Sequence, residues 1–243
     1  ALLALISFWL TGKALAPTAL AMRRQKEFIA AASHELRSPL AVIKTSLQAV
    51  DGDLSPERQT VLLHNSQKEA DRMSRLIDDL LLLANGDLGN LPAHLESLAP
   101  DNLCIEVYDQ FYLVAREQKH TLTLSLPEEV VPTIRADEGR LRQLLAILLN
   151  NAIEHTPAET PIELVLRPSG KNGTVTISVV DHGPGIPDEA KPHIFERFYR
   201  ADVSRTNKRN FGLGLSMAKE LARLHGASLT ATDTPGGGAT FIL

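Results

Sequence analysis

Two successive segments carry apolar residues at the spacing of an α-helix, and this pattern predicts that the first third of the chain is helical. The apolar positions recur every three or four residues, which places them along one side of each helix. They are Ala32, Leu36, Leu40, Ile43, Leu47 and Val50 in the first segment, and Met73, Leu76, Ile77, Leu80, Leu83 and Ala84 in the second. We therefore predict two helices of about 30 residues, each with one apolar side.

A short polar turn separates the two predicted helices. Residues 51–55 include glycine and aspartate, and Ser55 followed by Pro56 is typical of an N-cap and the first position of a helix. A lone helical hairpin cannot bury both apolar stripes, so we expect two copies of the chain to form a four-helix bundle. The hairpin is therefore predicted to be the module of a homodimer.

The second half of the chain alternates between helix and strand patterns. Helices are predicted at 105–119, 138–155 and 214–225, and strands at 121–126, 133–136, 162–167, 174–180, 228–232 and 239–243. This order predicts a two-layer α/β sandwich with helices on one face of the sheet, and hence an α+β chain. The expected divisions are residues 18–88 for the hairpin, 89–97 for a linker and 98–243 for the second domain.

The first ten residues, ALLALISFWL, are nearly all apolar. A helix needs about 20 such residues to cross a bilayer, so this run cannot span one alone. Basic residues follow, as on the cytoplasmic side of membrane helices. We expect residues 1–17 to be the end of a transmembrane segment and the rest to be cytoplasmic, with a buried helix start as the alternative.

A net charge of −4 gives no reason to expect nucleic acid as a partner.

A histidine and a glutamate stand together on the solvent side of the first predicted helix. At about 100° per residue, His34 lies about 180° from the centre of the apolar stripe. Alone, it would be an ordinary surface histidine. Pro39, however, crowds the carbonyl of Glu35 at a cost of about 3 kcal/mol, which stability does not explain. Glu35 can accept a hydrogen bond from one imidazole nitrogen, which leaves the other nitrogen free to attack phosphorus.

This segment resembles the HisKA family of histidine kinases, whose motif is His-Glu-x-x-Thr-Pro after an aromatic and small residues. The chain has Phe28, then small residues, then His34-Glu35-Leu36-Arg37-Ser38-Pro39. The resemblance implies that His34 is the phosphoacceptor and Glu35 its general base. Ser38 stands where the family usually has threonine, a residue that helps to position water for dephosphorylating the partner. The strength of a phosphatase activity is therefore left open.

Four segments of the second half can contribute to one nucleotide site. Asn151, on a leucine-rich helix, is either a Mg²⁺ ligand through its carboxamide oxygen or an ordinary helix residue. Asp181 ends a predicted strand and can accept a hydrogen bond from an adenine amino group, although the following glycines also fit a simple turn. Residues 194–200 combine aromatic and basic side chains. Residues 212–215, Gly-Leu-Gly-Leu, open a helix whose N-terminal amides can bind phosphate, unless they form an ordinary glycine-rich loop.

In this order and spacing, the four segments resemble the N, first-glycine, F and second-glycine boxes of the GHKL ATPase superfamily, which has the Bergerat fold. The resemblance implies that Asn151 binds Mg²⁺, that Asp181 anchors adenine, and that residues 201–211 form a lid. The implied ATP-binding residues are Asn151, His155, Asp181, Gly183, Gly185, Tyr199, Arg200, Gly212, Leu213, Gly214 and Leu215. Tyr199 would stack near the base, and Arg200 would reach the phosphates.

Three departures from the family pattern bear on nucleotide affinity. Ile147 stands where these kinases often have another asparagine, and Glu154 replaces the usual lysine near the phosphates. Asn210-Phe211 replaces a common Gly-Thr, although asparagine tolerates the left-handed backbone that a turn can require.

The resemblance implies an ATP-dependent protein-histidine kinase of a two-component system, which passes the phosphoryl group to an aspartate of a response regulator. One alternative is a catalytically silent, nucleotide-sensing scaffold that lost its chemistry through Glu154. Another is a GHKL ATPase of the chaperone or mismatch-repair type, although such an ATPase has no need of the His34 hairpin.

Overall fold

The structure is a computed structural model that describes residues 2–50, 55–87, 92–169, 173–200 and 211–243. These residues divide into two compact units, Ala1–Leu80 and Leu81–Leu243. Among the described residues, no helix contains a stretch long and apolar enough to cross a membrane.

Two long helices confirm the first part of the prediction, although α1, with 49 residues, is longer than the predicted length of about 30. Helix α1 spans Leu2–Val50, and α2 spans Pro56–Asp87, with its last turns in the second unit. α1 runs without a break through Pro39, which is buried. α2 begins at the predicted Pro56, and the Gln59 N–H donates to the carbonyl of Ser55 at 3.0 Å, as expected for an N-cap position. The predicted turn at 51–54 lies outside the described residues.

The apolar stripes of the two helices are only partly buried. Ala32, Pro39 and Ser46 are buried at intervals of seven residues, a spacing typical of helices that pack along their length. By contrast, Leu40 is 55% exposed and Leu47 is 48% exposed. On α2, Leu63 and Ile77 are similarly exposed. In a single copy of the chain, part of each predicted stripe therefore faces solvent.

The second unit contains a mixed five-stranded sheet. Its strands are β2 (Thr121–Ser125), β4 (Pro161–Ser169), β5 (Thr174–Asp181), β6 (Thr230–Asp233) and β7 (Ala239–Ile242), in the order β2-β4-β5-β7-β6. β2 is parallel to β4, and the other neighbours are antiparallel. A second, two-stranded sheet pairs β1 (Glu96–Leu98) with β3 (Ile134–Ala136).

Three helices complete the second unit and form a layer with the sheet. They are α3 (Pro100–Glu117), α4 (Glu138–His155) and α5 (Gly214–Leu224). α3 contacts β2 and β4, and α4 contacts β5 and α5. The fully buried apolar side chains of this layer include Leu144, Leu145, Leu148 and Leu149 of α4, and Ile162, Leu164 and Leu166 of β4. The predicted helix-on-sheet arrangement is thereby confirmed.

α4 has the bounds that its sequence predicts, because its N-terminal cap is encoded locally. Asp137 precedes the helix, and its Oδ1 accepts the Arg140 N–H at 3.0 Å. Such a cap satisfies one of the backbone donors that the first turn leaves without an intrahelical partner. Oδ2 of the same side chain accepts the His94 N–H at 2.9 Å, which fixes the segment before α3 to the start of α4.

The structure differs from the sequence prediction around residues 96–105. α2 ends at Asp87, within the predicted hairpin, but β1 at Glu96–Leu98 overlaps the end of the expected linker. This strand was not predicted because three residues carry too little pattern, and its partner Ile134–Ala136 is distant in sequence. α3 begins at Pro100 rather than at residue 105, since proline is favoured in the first turn.

We predict that Asp79→Asn stabilises the protein at pH 7.5 but not near pH 4. Burial, and then the charge of Asp78, raise the pKa of Asp79 to about 6. Between pH 4 and 6 the folded state therefore retains a proton that the unfolded state loses, so the stability of the wild type falls as pH rises through this window. Since Asp79 is only partly buried, we expect a gain of about 1 kcal/mol at pH 7.5.

Urea unfolding at pH 4.5, 6 and 7.5 measures this effect, with Asp71→Asn on the exposed side of the same helix as the control. A gain that is the same at all three pH values would contradict the assignment.

Candidate functional site

The proposed phosphoacceptor lies on the exposed side of α1. His34 is exposed, whereas Ala32 is buried and Leu36 is half-buried. The hydroxyl of the preceding Ser33 donates to the carbonyl of Ile29 at 2.8 Å. This bond keeps Ser33 on its own helix. The imidazole of His34 is therefore open to a reactant from solvent, as the helical periodicity predicts.

Glu35 and Ser38 lie close to His34 in sequence, but the structure joins neither to the imidazole. Glu35 is half-buried and Ser38 is exposed. In the described part of the chain, no hydrogen bond or ion pair connects His34 with Glu35, although the sequence indicates that Glu35 can accept one from the imidazole. Consecutive residues point about 100° apart on a helix, which accounts for the separation. The catalytic role of Glu35 stays a prediction.

In the second unit, the carboxylate of Asp181 is held at the end of a buried strand. Asp181 is the last residue of β5 and is only 6% exposed. Its Oδ1 accepts two backbone N–H groups, from Gly183 at 2.9 Å and from Ala239 at 3.1 Å. Its Oδ2 makes no hydrogen bond with the described residues. One oxygen is thus bound by the protein, while the other can accept a donor from a ligand.

Glycines surround Asp181 where backbone segments approach one another closely. A Cβ on Gly238 would lie 2.0 Å from the carbonyl oxygen of Asp181, so no other residue fits this position without a shift. Gly185 has φ +76°, and a Cβ there would lie 3.1 Å from the carbonyl oxygen of Gly238. The two predicted glycines, Gly183 and Gly185, therefore lie beside Asp181 and the start of β7 in one compact turn.

Asn151 and His155 are placed by α4. Asn151 is half-buried between leucine-rich turns, and its carboxamide makes no hydrogen bond with the described residues. A carboxamide oxygen without a protein partner fits a cation such as Mg²⁺, which takes few protein ligands and completes its shell with phosphate oxygens and water. No cluster of three or more His, Cys, Asp or Glu side chains that could hold a metal ion occurs in the described ranges. His155, the last residue of α4, is exposed.

The start of α5 offers backbone donors without a side-chain cap. Gly214 is the first helical residue, and Leu213 occupies the N-cap position, where it makes no side-chain hydrogen bond. Polar residues usually accept a first-turn N–H at this position. The uncapped N–H groups of α5 can therefore bind an anion. Leu213 is buried and Leu215 is half-buried.

Gly212 closes a tight contact with the segment before the predicted lid. The Phe198 N–H donates to the carbonyl of Gly212 at 2.8 Å, and Phe198 itself has φ +62°. Gly212 has φ +70°, and a Cβ there would lie 2.9 Å from the carbonyl carbon of Phe198 and from the carbonyl oxygen of Tyr199. The described segments on either side of the predicted lid are thus in contact, while residues 201–210 lie outside the described residues.

Tyr199 and Arg200 follow this contact directly. Tyr199 is half-buried, and its ring centroid lies 5.5 Å from that of His193. Arg200 is exposed. Both residues therefore lie beside Gly212, as the order of the predicted boxes requires.

α4 brings the separate segments together. A Cβ on Gly214 would lie 3.4 Å from Cγ2 of Ile147, and a Cβ on Gly183 would lie 2.6 Å from Cγ2 of Thr156. The start of α5 and the turn after β5 therefore both contact α4, on either side of Asn151. Neither Thr156 nor Ala239 was predicted as a site residue. The signals in the sequence were that Thr156 directly follows His155 and that Ala239 directly follows three glycines.

Two families of known proteins match successive parts of the chain. Residues 24–89 match the family described as His Kinase A (phospho-acceptor) domain. Residues 136–243 match the family described as Histidine kinase-, DNA gyrase B-, and HSP90-like ATPase. The chain is also 37% identical to the sensor histidine kinase YkoH of Bacillus subtilis, over 90% of this chain and 47% of that protein. It therefore spans about half of the length of this relative.

Solved structures support the same fold. The Acinetobacter baumannii histidine kinase AdeS aligns with a TM-score of 0.69 and 23% identity, over 86% of this chain and 95% of that one. The histidine kinase ThkA, in complex with response regulator protein TrrA, aligns with a TM-score of 0.69 and 22% identity, over 96% of this chain and 64% of that one. At these identities the likeness establishes the fold alone.

We predict that Gly212→Ala lowers the melting temperature more than Gly226→Ala does. Both glycines have positive φ, +70° and +66°, so alanine is strained by a similar amount at each. Only at Gly212 does the new Cβ also meet backbone atoms at 2.9 Å, whereas nothing lies within 4 Å at Gly226.

The additional overlap should destabilise the Gly212 variant by about 1–3 kcal/mol beyond the control. Differential scanning calorimetry measures both variants. Equal melting temperatures would show that Gly212 does not contact Phe198 and Tyr199 in solution.

Proposed function

Because this chain belongs to the sensor histidine kinases of two-component systems, we propose that it phosphorylates its own His34 from ATP and passes the phosphoryl group to a response regulator. The observation that carries the proposal is the exposure of the His34 imidazole in a chain that also contains the ATPase domain. An exposed, reactive nitrogen is needed because the phosphoryl donor and acceptor must both reach it in turn.

The nucleotide is proposed to bind in the second unit, around Asp181. The free Oδ2 of Asp181 accepts the adenine amino group, and Gly183 and Gly185 let the backbone approach the base. The uncapped first turn of α5, at Gly214 and Leu215, binds the phosphates. The remaining contacts are proposed to come from His155, Tyr199, Arg200, Gly212 and Leu213.

Asn151 is proposed to hold Mg²⁺ at the phosphates. Its carboxamide has no partner among the described residues, which favours a ligand role over a structural one. The ion supplies positive charge that offsets the charge of the phosphate groups when it is bound. Arg200 adds charge from the protein.

The chemistry of His34 requires one nucleophilic nitrogen and one proton acceptor. The unprotonated imidazole nitrogen attacks the γ-phosphorus in line, so that an N–P bond forms while the bond to the β-phosphate oxygen breaks and ADP leaves. The proton on the other imidazole nitrogen passes to Glu35, which acts as the general base. Ser38, one turn further along α1, is proposed to orient a water molecule that dephosphorylates the partner. An aspartate of a receiver domain then accepts the phosphoryl group.

The proposed partners follow from the exposed faces of the hairpin and from relatives. Leu40, Leu47 and Ile77 are each more than two-fifths exposed, and a second copy of the chain would cover them in a four-helix bundle. A response regulator is proposed as the phosphoryl acceptor because ThkA, which has the same fold, was solved in complex with one. Attachment to a membrane through an upstream transmembrane segment is proposed from the apolar run at residues 1–10.

We predict that His34→Ala abolishes autophosphorylation and changes ATP affinity by less than about threefold, below the tenfold that 1.4 kcal/mol represents. The acceptor and the nucleotide anchor lie in different units, so removal of the imidazole leaves the anchor intact. Incubation with ATP labelled at the γ-phosphate measures the reaction. His64→Ala is the matched control, since His64 is an exposed histidine on α2.

Label that remains in the His34 variant, or that resists acid, would refute phosphohistidine formation at His34. Release of inorganic phosphate by the variant at the wild-type autophosphorylation rate would indicate a hydrolytic ATPase instead. A wild-type chain that binds ATP and takes up no label would indicate a silent scaffold.

We predict that Leu40→Glu with Leu47→Glu converts a dimer into a monomer. Each substitution places a charge where the bundle would bury apolar surface, at a loss of about 25 cal/mol per Å². Analytical ultracentrifugation at micromolar concentration measures the change. Val130→Glu, at a position that is 97% exposed, is the control and should stay dimeric. A wild-type chain that sediments as a monomer would disprove the dimer.

A further inference from the structure

Thr156 lies directly after α4 and is held in one orientation. It is the C-cap residue of the helix, and its hydroxyl donates to the carbonyl of Ala152 at 2.8 Å. The side chain is half-buried. Because the hydroxyl is fixed, the rotamer of the side chain is fixed, and so is the position of its methyl group. Neither the sequence motifs nor the proposed nucleotide contacts assign a role to this residue.

The methyl group of Thr156 occupies the space where a side chain at residue 183 would lie. A Cβ built on Gly183 would be 2.6 Å from Cγ2 of Thr156 and 3.2 Å from its Cβ. The backbone of Gly183 therefore rests against the threonine, and the glycine is required because of this contact. Unlike Gly185, Gly183 has no positive φ that would demand glycine.

Gly183 in turn fixes the orientation of Asp181. The Gly183 N–H donates to Oδ1 of Asp181 at 2.9 Å, and the Ala239 N–H donates to the same atom at 3.1 Å. With Oδ1 bound on both sides, the direction of Oδ2 is set by where these two N–H groups lie. A displacement of Gly183 would rotate the carboxylate and move Oδ2.

We propose that Thr156 is a positioning residue for adenine recognition: its methyl group holds Gly183 so that Oδ2 of Asp181 faces the base. The inference rests on the proposed nucleotide site. Adenine presents an amino donor at C6, whereas guanine presents a carbonyl acceptor there, which a carboxylate repels. A correctly directed Oδ2 therefore discriminates ATP from GTP, and a misdirected one discriminates less.

The first experiment compares Thr156→Ser with Thr156→Val by calorimetric titration with Mg²⁺ and non-hydrolysable analogues of ATP and GTP. Serine keeps the hydroxyl bond and loses the methyl group, so affinity for the ATP analogue should fall by about tenfold, with a smaller change for the GTP analogue. Valine keeps a methyl group and should weaken affinity less than serine does. Thr60→Ser is the matched control, because Thr60 makes the same bond to Pro56 at 2.9 Å.

The second experiment is a double-mutant cycle with Gly183→Ala. Alone, the alanine meets the threonine methyl group and should weaken binding of the ATP analogue by more than about tenfold. In combination with Thr156→Ser, the Cγ2 atom is gone, and the remaining neighbours lie at 3.1 and 3.2 Å, where small shifts suffice. The double variant should therefore bind the ATP analogue more tightly than Gly183→Ala alone.

Three results would overturn the proposal: additive losses in the double variant, equal losses for the two analogues, or a Thr156→Ser variant that behaves like Thr60→Ser. Unchanged melting temperature in Thr156→Ser separates positioning from loss of fold. Failure of the wild type to bind the ATP analogue would refute the proposed nucleotide site itself, which is distinct from a wild type that binds it with no contribution from Thr156.

Discussion

Oδ1 of Asp181 accepts two backbone N–H groups, from Gly183 and Ala239, and the geometry of the second unit around the candidate site depends on this arrangement. A carboxylate that is nearly buried is costly unless hydrogen bonds compensate for lost hydration. These bonds draw the turn after β5 and the start of β7 onto one atom. Gly238 follows as a consequence, since any Cβ there would overlap the backbone of Asp181.

The candidate residues of the two units differ in exposure: His34 is exposed and Asp181 is buried. The proposed phosphoacceptor has to be reached by two different reactants, and His34 is accordingly exposed, on a helix whose other side is partly buried. The proposed base anchor has to select one hydrogen-bonding pattern, and Asp181 is accordingly buried and fixed. Exposure of His34 favours phosphoryl transfer, because a reactant can approach the imidazole without displacing other parts of the protein. Burial favours selectivity, because an unpaired polar group there is penalised.

Most secondary structure could be predicted because its signals are local. The bounds of α4 follow from Asp137 as a cap and from a continuous apolar face, and the start of α2 follows from Ser55 and Pro56. β1 could not be predicted, since three residues at Glu96–Leu98 become a strand only through pairing with β3. The hydrogen bond predicted between His34 and Glu35 is absent from the described residues, because a helix directs neighbouring side chains apart.

The sequence by itself determined the helical pair, the α/β order of the second unit and the identity of the candidate residues, because periodicity, caps and motifs are properties of neighbouring positions. Only the tertiary structure decided that Thr156 contacts Gly183. It also decided that the N–H groups of Ala239 and Gly183 both donate to Oδ1 of Asp181. These contacts join segments about 30 to 60 residues apart, and their distances depend on how α4, β5 and β7 pack. No local pattern records such packing.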